Sequence, residues 1–385
     1  MISRILGALS LLLLLIHPYC SSQWLDDSVS ERRVQKGIEQ IYNMSFDSAR
    51  AEFNAVIRQN PTNPAGHFFL AMVEWWNIML DLDDESHDAK FIAMLEKVVD
   101  ICDKRLDKND DDIEALFFKG GSIGFRGRLY ANRGDWIKAA NDGRNAMPIV
   151  QQMYKLAPNN YDILLGIGIY NYYAAVVPEQ YPVVKPLMIF FPKGDKLQGV
   201  TQLQQAAAHA KYANYEASYF LLQLYLNYEK RFSDALVTAE SLHKRFPNNP
   251  VLYSNLGKAN VSLGNWEEFH RIYADVLDRV KKNEFGYNRA AEREAQYYMG
   301  LWEMNKAAYD VALQHFYRCD ELSRTLDAKT ASGFMAMANL KIGMVYDRQS
   351  RRDMAIEQYK KVLQFGDYQD SHKLAEQYLI TPFGH

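Results

Sequence analysis

Apolar residues recur along this chain at the three- and four-residue spacing of amphipathic helices, in runs separated by short polar or Pro-containing breaks. A clear run is YEASYFLLQLYLNYEKRFSDALVTAESLHKRFPNNP, which reads as two helices, with small Ala235 at their crossing and Pro247 stopping the second. The next run, VLYSNLGKANVSLGNWEEFHRIYADVL, follows in the same helical phase at an offset of 34 residues. Two later runs keep the phase through Gly300, Ala312 and Phe316, then Gly343, Tyr346, Ala355 and Tyr359, each displaced by 43 residues. Near the start, Ala49, Phe53 and Pro61 occupy the second-helix positions of another such hairpin.

A small residue where two helices cross lets their backbones approach, and a large aromatic fills the gap to the next hairpin. One hairpin leaves an apolar face uncovered, so hairpins of this kind must stack. Tyr253, Leu256 and Gly257 fall on the W-x2-L-G stretch of the tetratricopeptide pattern, and Tyr273 takes its second-helix aromatic position. In the copy at Gly343 the opening aromatic is replaced by Asn339. The chain thus resembles the tetratricopeptide repeat family at both ends. That resemblance implies an all-α fold, a right-handed superhelical solenoid of antiparallel helix pairs whose repeats touch only their neighbours, with a concave groove.

Residues 110 to 215 are less regular. Gly120, Gly121, Gly124 and Gly127 lack the preceding strand and following Lys-Ser or Lys-Thr of a phosphate loop, and their spacing puts them on one helical face. Close helix packing is the expected reason, and Gly166 and Gly168 have the same reading. Pro178, Pro182, Pro186 and Pro192 then forbid a continuous helix through an apolar insert. An apolar loop either plugs the groove or meets a partner or membrane. Asp195, with Gln198 three residues on, looks like a helix N-cap. The order G-I-G-I-Y-N-Y-Y, apolar insert, P-K-G-D-K-L-Q-G-V resembles an exported bacterial subfamily of tetratricopeptide proteins and, more distantly, eukaryotic ones of inclusion-body clearance. This second resemblance covers about the middle third of the chain and implies a fold without catalytic residues.

The first residues place one Arg before an apolar run from Ile5 to Ile16 and a polar stretch ending in small residues, the layout of a secretory signal cut after Ser22. A lipid-modified Cys20 and an uncleaved anchor are the competing readings. The expected divisions are a signal peptide over 1–22, N-terminal hairpins over 23–110, and irregular hairpins over 111–214 with the insert near 178–193. A C-terminal array follows over 215–385. Export without a disulfide framework points to a bacterial periplasm or envelope. Cys102 and Cys319 are expected to be core residues.

A net charge of -3 gives no global attraction for nucleic acid. No H-E-x-x-H, G-x-S-x-G, C-x-x-C or G-x4-G-K-[ST] occurs, so neither enzyme chemistry nor a cofactor or metal is expected. His209, His243, His270 and His315 each lack a second His at helical spacing. The acidic runs at 81–88 and 107–112 lack the EF-hand's Gly and Glu and read as solvated linkers, the second capping a helix at Ile113.

Projecting the repeat phase puts Phe220, Leu224, Tyr228, Lys258, Tyr297, Leu301, Met304, Met337, Met344 and Arg348 toward the groove. With Leu187, Phe190 and Phe191 of the insert, they form the expected partner-binding set. Its apolar character favours an extended apolar peptide or an amphipathic helix. The expected function is a non-enzymatic scaffold holding a protein partner in the cell envelope. The alternative is a carrier or chaperone for an apolar ligand, lipid or unfolded segment.

Overall fold

In the computed structural model the described residues are 28–180, 185, 192–327 and 330–384, and they are all-helical, with no strand among them. The chain divides into two compact units. The first gathers the described residues up to Ile38, with Asp47–Leu70 and Met94–Asn214. The second gathers Glu39–Phe46, Ala71–Ala93 and the described residues from Tyr215 onward.

In the first unit, α1 (Ser28–Tyr42, through Ile38) meets α2 (Phe46–Gln59) where Gly37 faces Phe53, so closely that a Cβ at Gly37 would overlap that ring. The start of α3 (Pro64–Leu80) contributes Phe68 and Phe69, which pack with Phe118 of α5 (Ile113–Asn132) at centroid distances of 5.3 and 6.0 Å; α4 (Asp88–Leu106) lies between them in the chain. Asp112 caps α5 by accepting the Ala115 N–H at 3.0 Å, as expected from sequence. Three of the clustered glycines lie against neighbours, Gly120 on Ile149, Gly121 on Phe68 and Gly127 on Asp142, while Gly124 faces open space. Arg126 of α5 grips Asp142 of α6 (Trp136–Leu156) through two hydrogen bonds of 2.9 and 2.7 Å.

Helices α7 (Ile163–Gln180) and α8 (Lys196–His209) cross backbone to backbone, since a Cβ on Gly199 would meet the Tyr172 nitrogen at 2.6 Å. Asp195 caps α8 through the Gln198 N–H at 2.9 Å. Pro178 does not stop α7, which carries it two residues from its end, where its missing N–H deprives a single carbonyl, that of Ala174, of its helix donor. The rest of the expected insert, including Leu187, Phe190 and Phe191, lies outside the described residues, as does the expected signal peptide.

The second unit holds α9 (Asn214–Asn227), α10 (Phe232–Arg245), α11 (Pro250–Leu263), α12 (Trp266–Lys281) and α13 (Arg289–Asn305). It continues with α14 (Tyr309–Leu326), α15 (Gly333–Arg348), α16 (Arg352–Val362) and α17 (Ser371–Ile380), and from α10 onward each helix packs on the next. The crossings follow the tetratricopeptide rule. Gly257 abuts Tyr273, Gly300 abuts Phe316 and Gly343 abuts Tyr359, each pair sixteen residues apart with hypothetical Cβ contacts of 2.8, 2.6 and 2.5 Å.

Neighbour-only stacking does not hold in this unit. Tyr42, at the end of α1, donates to Glu216 at 2.7 Å and its ring lies 5.3 Å from Phe246 and 4.8 Å from Trp76. Asn249 returns a hydrogen bond to the Tyr42 carbonyl at 2.8 Å. The later part of α3 explains this: Ala71, Met72, Val73, Trp75, Trp76 and Ile78 are all buried, and a helix apolar on every side needs cover on every side. The acidic run after it is exposed over residues 82–86, as a solvated linker would be, yet it is anchored to the unit. Asp83 pairs with Arg293 at 2.9 Å, and burial raises the Asp81 carboxyl above its usual range.

Candidate functional site

The first helices of the C-terminal hairpins, α11, α13 and α15, carry most of the residues projected toward a groove, and the structure sorts these into three kinds. Phe220, Leu224, Tyr297 and Met344 are buried, with Leu224 fully so, and shape the helix stack from within. Tyr228, Leu301, Met304 and Met337 remain half-buried, the last three packed on the core around Phe316 and Tyr359. Lys258 and Arg348 are the two cations of the set, and both have protein partners.

Lys258 pairs with Glu294 of α13 at 2.8 Å. The same carboxylate accepts the Tyr273 hydroxyl at 3.1 Å and the Ser254 hydroxyl. Burial and the Glu294 charge push the Tyr273 hydroxyl well above its usual range, so it stays protonated and donates. Tyr298 stacks on Tyr273 with centroids 4.5 Å apart and planes 18° from parallel. This part of the face therefore has its polar groups satisfied internally. Asn255 accepts from Gln223 of α9 at 2.9 Å, a further rung between first helices. Arg348 is exposed and donates to the Tyr309 hydroxyl at 3.2 Å.

A cation absent from the projected set sits on α15. Lys341 makes no ion pair among the described residues, and burial alone pulls its ammonium below the usual range. It lies one helical turn along α15 from Met337 and from Met344. The signal was in the sequence, a lone Lys between two Met at helical spacing, but it falls on the flank of the projected stripe. Beyond it, Asp347 is buried, accepts from Arg352, from the Tyr359 hydroxyl at 2.8 Å and from the Phe383 N–H at 2.8 Å, and so fastens the end of the chain to the last hairpin.

The histidines take structural places. His243 stacks on Tyr253 and His270 on Trp302, both with centroids 4.5 Å apart, while His315 bonds Gln296 at 2.6 Å. Cys102 and Cys319 are buried free thiols, and burial pushes both up to about 12. No group of three or more His, Cys, Asp or Glu is placed to hold a metal among the described residues.

No family model and no curated protein matches the chain. Among solved structures it is similar to a thermophilic TPR protein of Thermus thermophilus (14% identity, 60% of this chain and 99% of that one, TM-score 0.37). It is also similar to a tetratricopeptide repeat protein of Parabacteroides merdae (13%, 81% and 99%, TM-score 0.33) and to yeast Tom70 (11%, 92% and 96%, TM-score 0.28). At such scores the likeness adds no argument to what the helix crossings themselves establish.

Proposed function

We propose that this chain is a non-enzymatic scaffold of the bacterial cell envelope that holds a protein partner on the first-helix face of α11, α13 and α15. The observation that carries the reading is that α13 and α15 keep Leu301, Met304 and Met337 half-buried while α15 also bears Lys341, a cation whose charge no protein carboxylate answers among the described residues. Flexible thioethers adapt to an incoming apolar side chain. An amphipathic helix or extended segment with one acidic residue beside its apolar positions would fill the face and pair that charge. Lys258, already neutralised by Glu294, adds no demand for a second acid.

A photo-reactive amino acid in place of Met337 tests this reading, with the same group at exposed Glu321 on α14 as the control. Cross-links to one protein from position 337 and none from 321 support it. Equal labelling from both positions removes the site. The envelope setting rests on the apolar run from Ile5 to Ile16, and cell fractionation with N-terminal sequencing of the mature chain checks it. Changing Leu187, Phe190 and Phe191 to Ser separates a second docking surface in the insert from the helix face.

A further inference from the structure

A cleft of about 580 Å³ opens in the first unit where the turn between α6 and α7 faces the first half of α8. We infer that this cleft is a binding site for an uncharged sugar. One wall is aromatic and prolyl: Tyr154 and Tyr161 are 40% and 43% exposed, with Pro158 between them, and the His209 ring backs Tyr161 at 4.9 Å. The opposite wall is α8, where Gln198, Thr201, Gln202 and Gln205 at three- and four-residue spacing form a polar stripe, with exposed Leu197 also in the lining and Leu164 contributed by α7.

Much of the polar lining is unspent, although the Thr201 hydroxyl donates to the Leu197 carbonyl at 3.0 Å. Asn159, Gln198 and Gln205 make no side-chain hydrogen bond among the described residues, nor do the Tyr154 and Tyr161 hydroxyls. Gln202 is held in place by accepting from Asn171 at 2.8 Å, which leaves its amide N–H groups as the donors on that side. The one acid of the lining, Asp195, is committed to capping α8, and no Lys, Arg or His lines the cleft among the described residues.

Chemistry narrows the occupant. A phosphate, nucleotide or carboxylate would meet a carboxylate and no cation. A wholly apolar molecule would cover amides without replacing their hydrogen bonds, which costs free energy for each group covered. A sugar ring has what both walls ask for, hydroxyls for the amides and a C–H face for the aromatic rings, and the volume lies in the small-ligand range.

The test is calorimetry and saturation-transfer NMR on the full chain with glucose, galactose, mannose, N-acetylglucosamine and their disaccharides, beside inorganic phosphate, decanoate and a neutral Gly-Ser tetrapeptide. The expected result is saccharide binding that weakens about tenfold in Tyr161→Ala and in Gln205→Ala, with far-UV circular dichroism unchanged because both side chains are exposed. The inference is overturned if no saccharide binds, if saccharide affinity is the same in both variants as in the parent, or if only the tetrapeptide or decanoate responds to the substitutions.

Discussion

A Cβ on Gly343 would stand 2.5 Å from the Tyr359 ring, so the last helical hairpin closes only because that position carries no side chain. Tyr359 cannot withdraw, since its ring is fully buried and its hydroxyl is held by Asp347 at 2.8 Å. Gly343→Ala should therefore cost about 2 kcal/mol, read as a lower urea midpoint, even though alanine is the better helix former. Gly124 supplies the contrast. It faces open space in α5, and Gly124→Ala should raise stability by about 0.8 kcal/mol.

The turns inside the hairpins share a second backbone demand. Seven residues after Gly257 comes Gly264 with φ 71°, and seven after Gly300 and Gly343 come Ala307 with φ 57° and Ser350 with φ 59°. L side chains adopt this region at a cost of about 1 kcal/mol. Ala307→Gly and Ser350→Gly should each stabilise the protein, by less than that strain because glycine also loosens the unfolded chain, and thermal melts would show the rise.

Asn339 stands where the repeat pattern asks for a large aromatic. It is fully buried, donates to Asp320 at 2.6 Å and accepts from Lys361 at 2.5 Å. Replacing it with the pattern's aromatic, Asn339→Tyr, should destabilise by about 3 kcal/mol, because Asp320 and Lys361 lose a buried partner and the space is already filled. Asn339→Asp keeps a partner for Lys361 but sets two carboxylates together, and should fall between the two. Chemical denaturation curves rank the three proteins.

That residue marks where sequence reading stops. Periodicity identified the helices, the Gly257, Gly300 and Gly343 crossings, and the Asp112 and Asp195 caps, because each depends on residues close in sequence. It left out Gly37, which meets Phe53 with the same sixteen-residue offset. It did not reach Tyr42 and Glu216, which bond across 174 residues, since an apolar face shows that a helix is covered and not by what. The groove projection treated first-helix positions as one stripe. Leu224 and Tyr297 proved to be buried, because a first helix packed on both neighbours covers more of its circumference than a single stripe allows for. The cleft beside Tyr161 had no pattern to betray it, being assembled from scattered amides and two aromatic rings.

Stability should decline with acid through His243. Burial holds its imidazole below the usual range, Arg279 and Arg271 of α12 push further the same way and Asp275 opposes them, while Tyr253 of α11 stacks on the ring. Above about pH 6.5 the ring is neutral in folded and unfolded chains alike. As pH falls below that value the unfolded chain takes up the proton first, so stability is lost until the folded value is passed. His243→Phe keeps the stack and removes the titration. The variant should show a shallower fall of unfolding free energy between about pH 7 and 5 than the parent protein, measured by urea unfolding at each pH.

Arg293 separates two kinds of ion pair within one side chain. Its guanidinium reaches Asp327 at 2.8 Å, where the carboxylate is 2% exposed, and Asp83 at 2.9 Å, where it is 40% exposed. The buried carboxylate also accepts the Ser332 N–H at 2.7 Å, ahead of α15, so its loss strands a backbone donor as well as a charge. Asp327→Ala should cost about 3 kcal/mol and Asp83→Ala about 1 kcal/mol or less, the latter fading in high salt. Arg293→Met leaves the buried Asp327 uncompensated and should cost as much as Asp327→Ala. The double change Arg293→Met with Asp327→Asn should recover part of that loss, because no charge then remains buried. Urea unfolding of the four variants, run at low and high salt, reads all four values. Equal costs for the two aspartates would mean that the Asp83 pairing, and with it the docking of the 81–88 segment on α13, is tighter than its exposure implies.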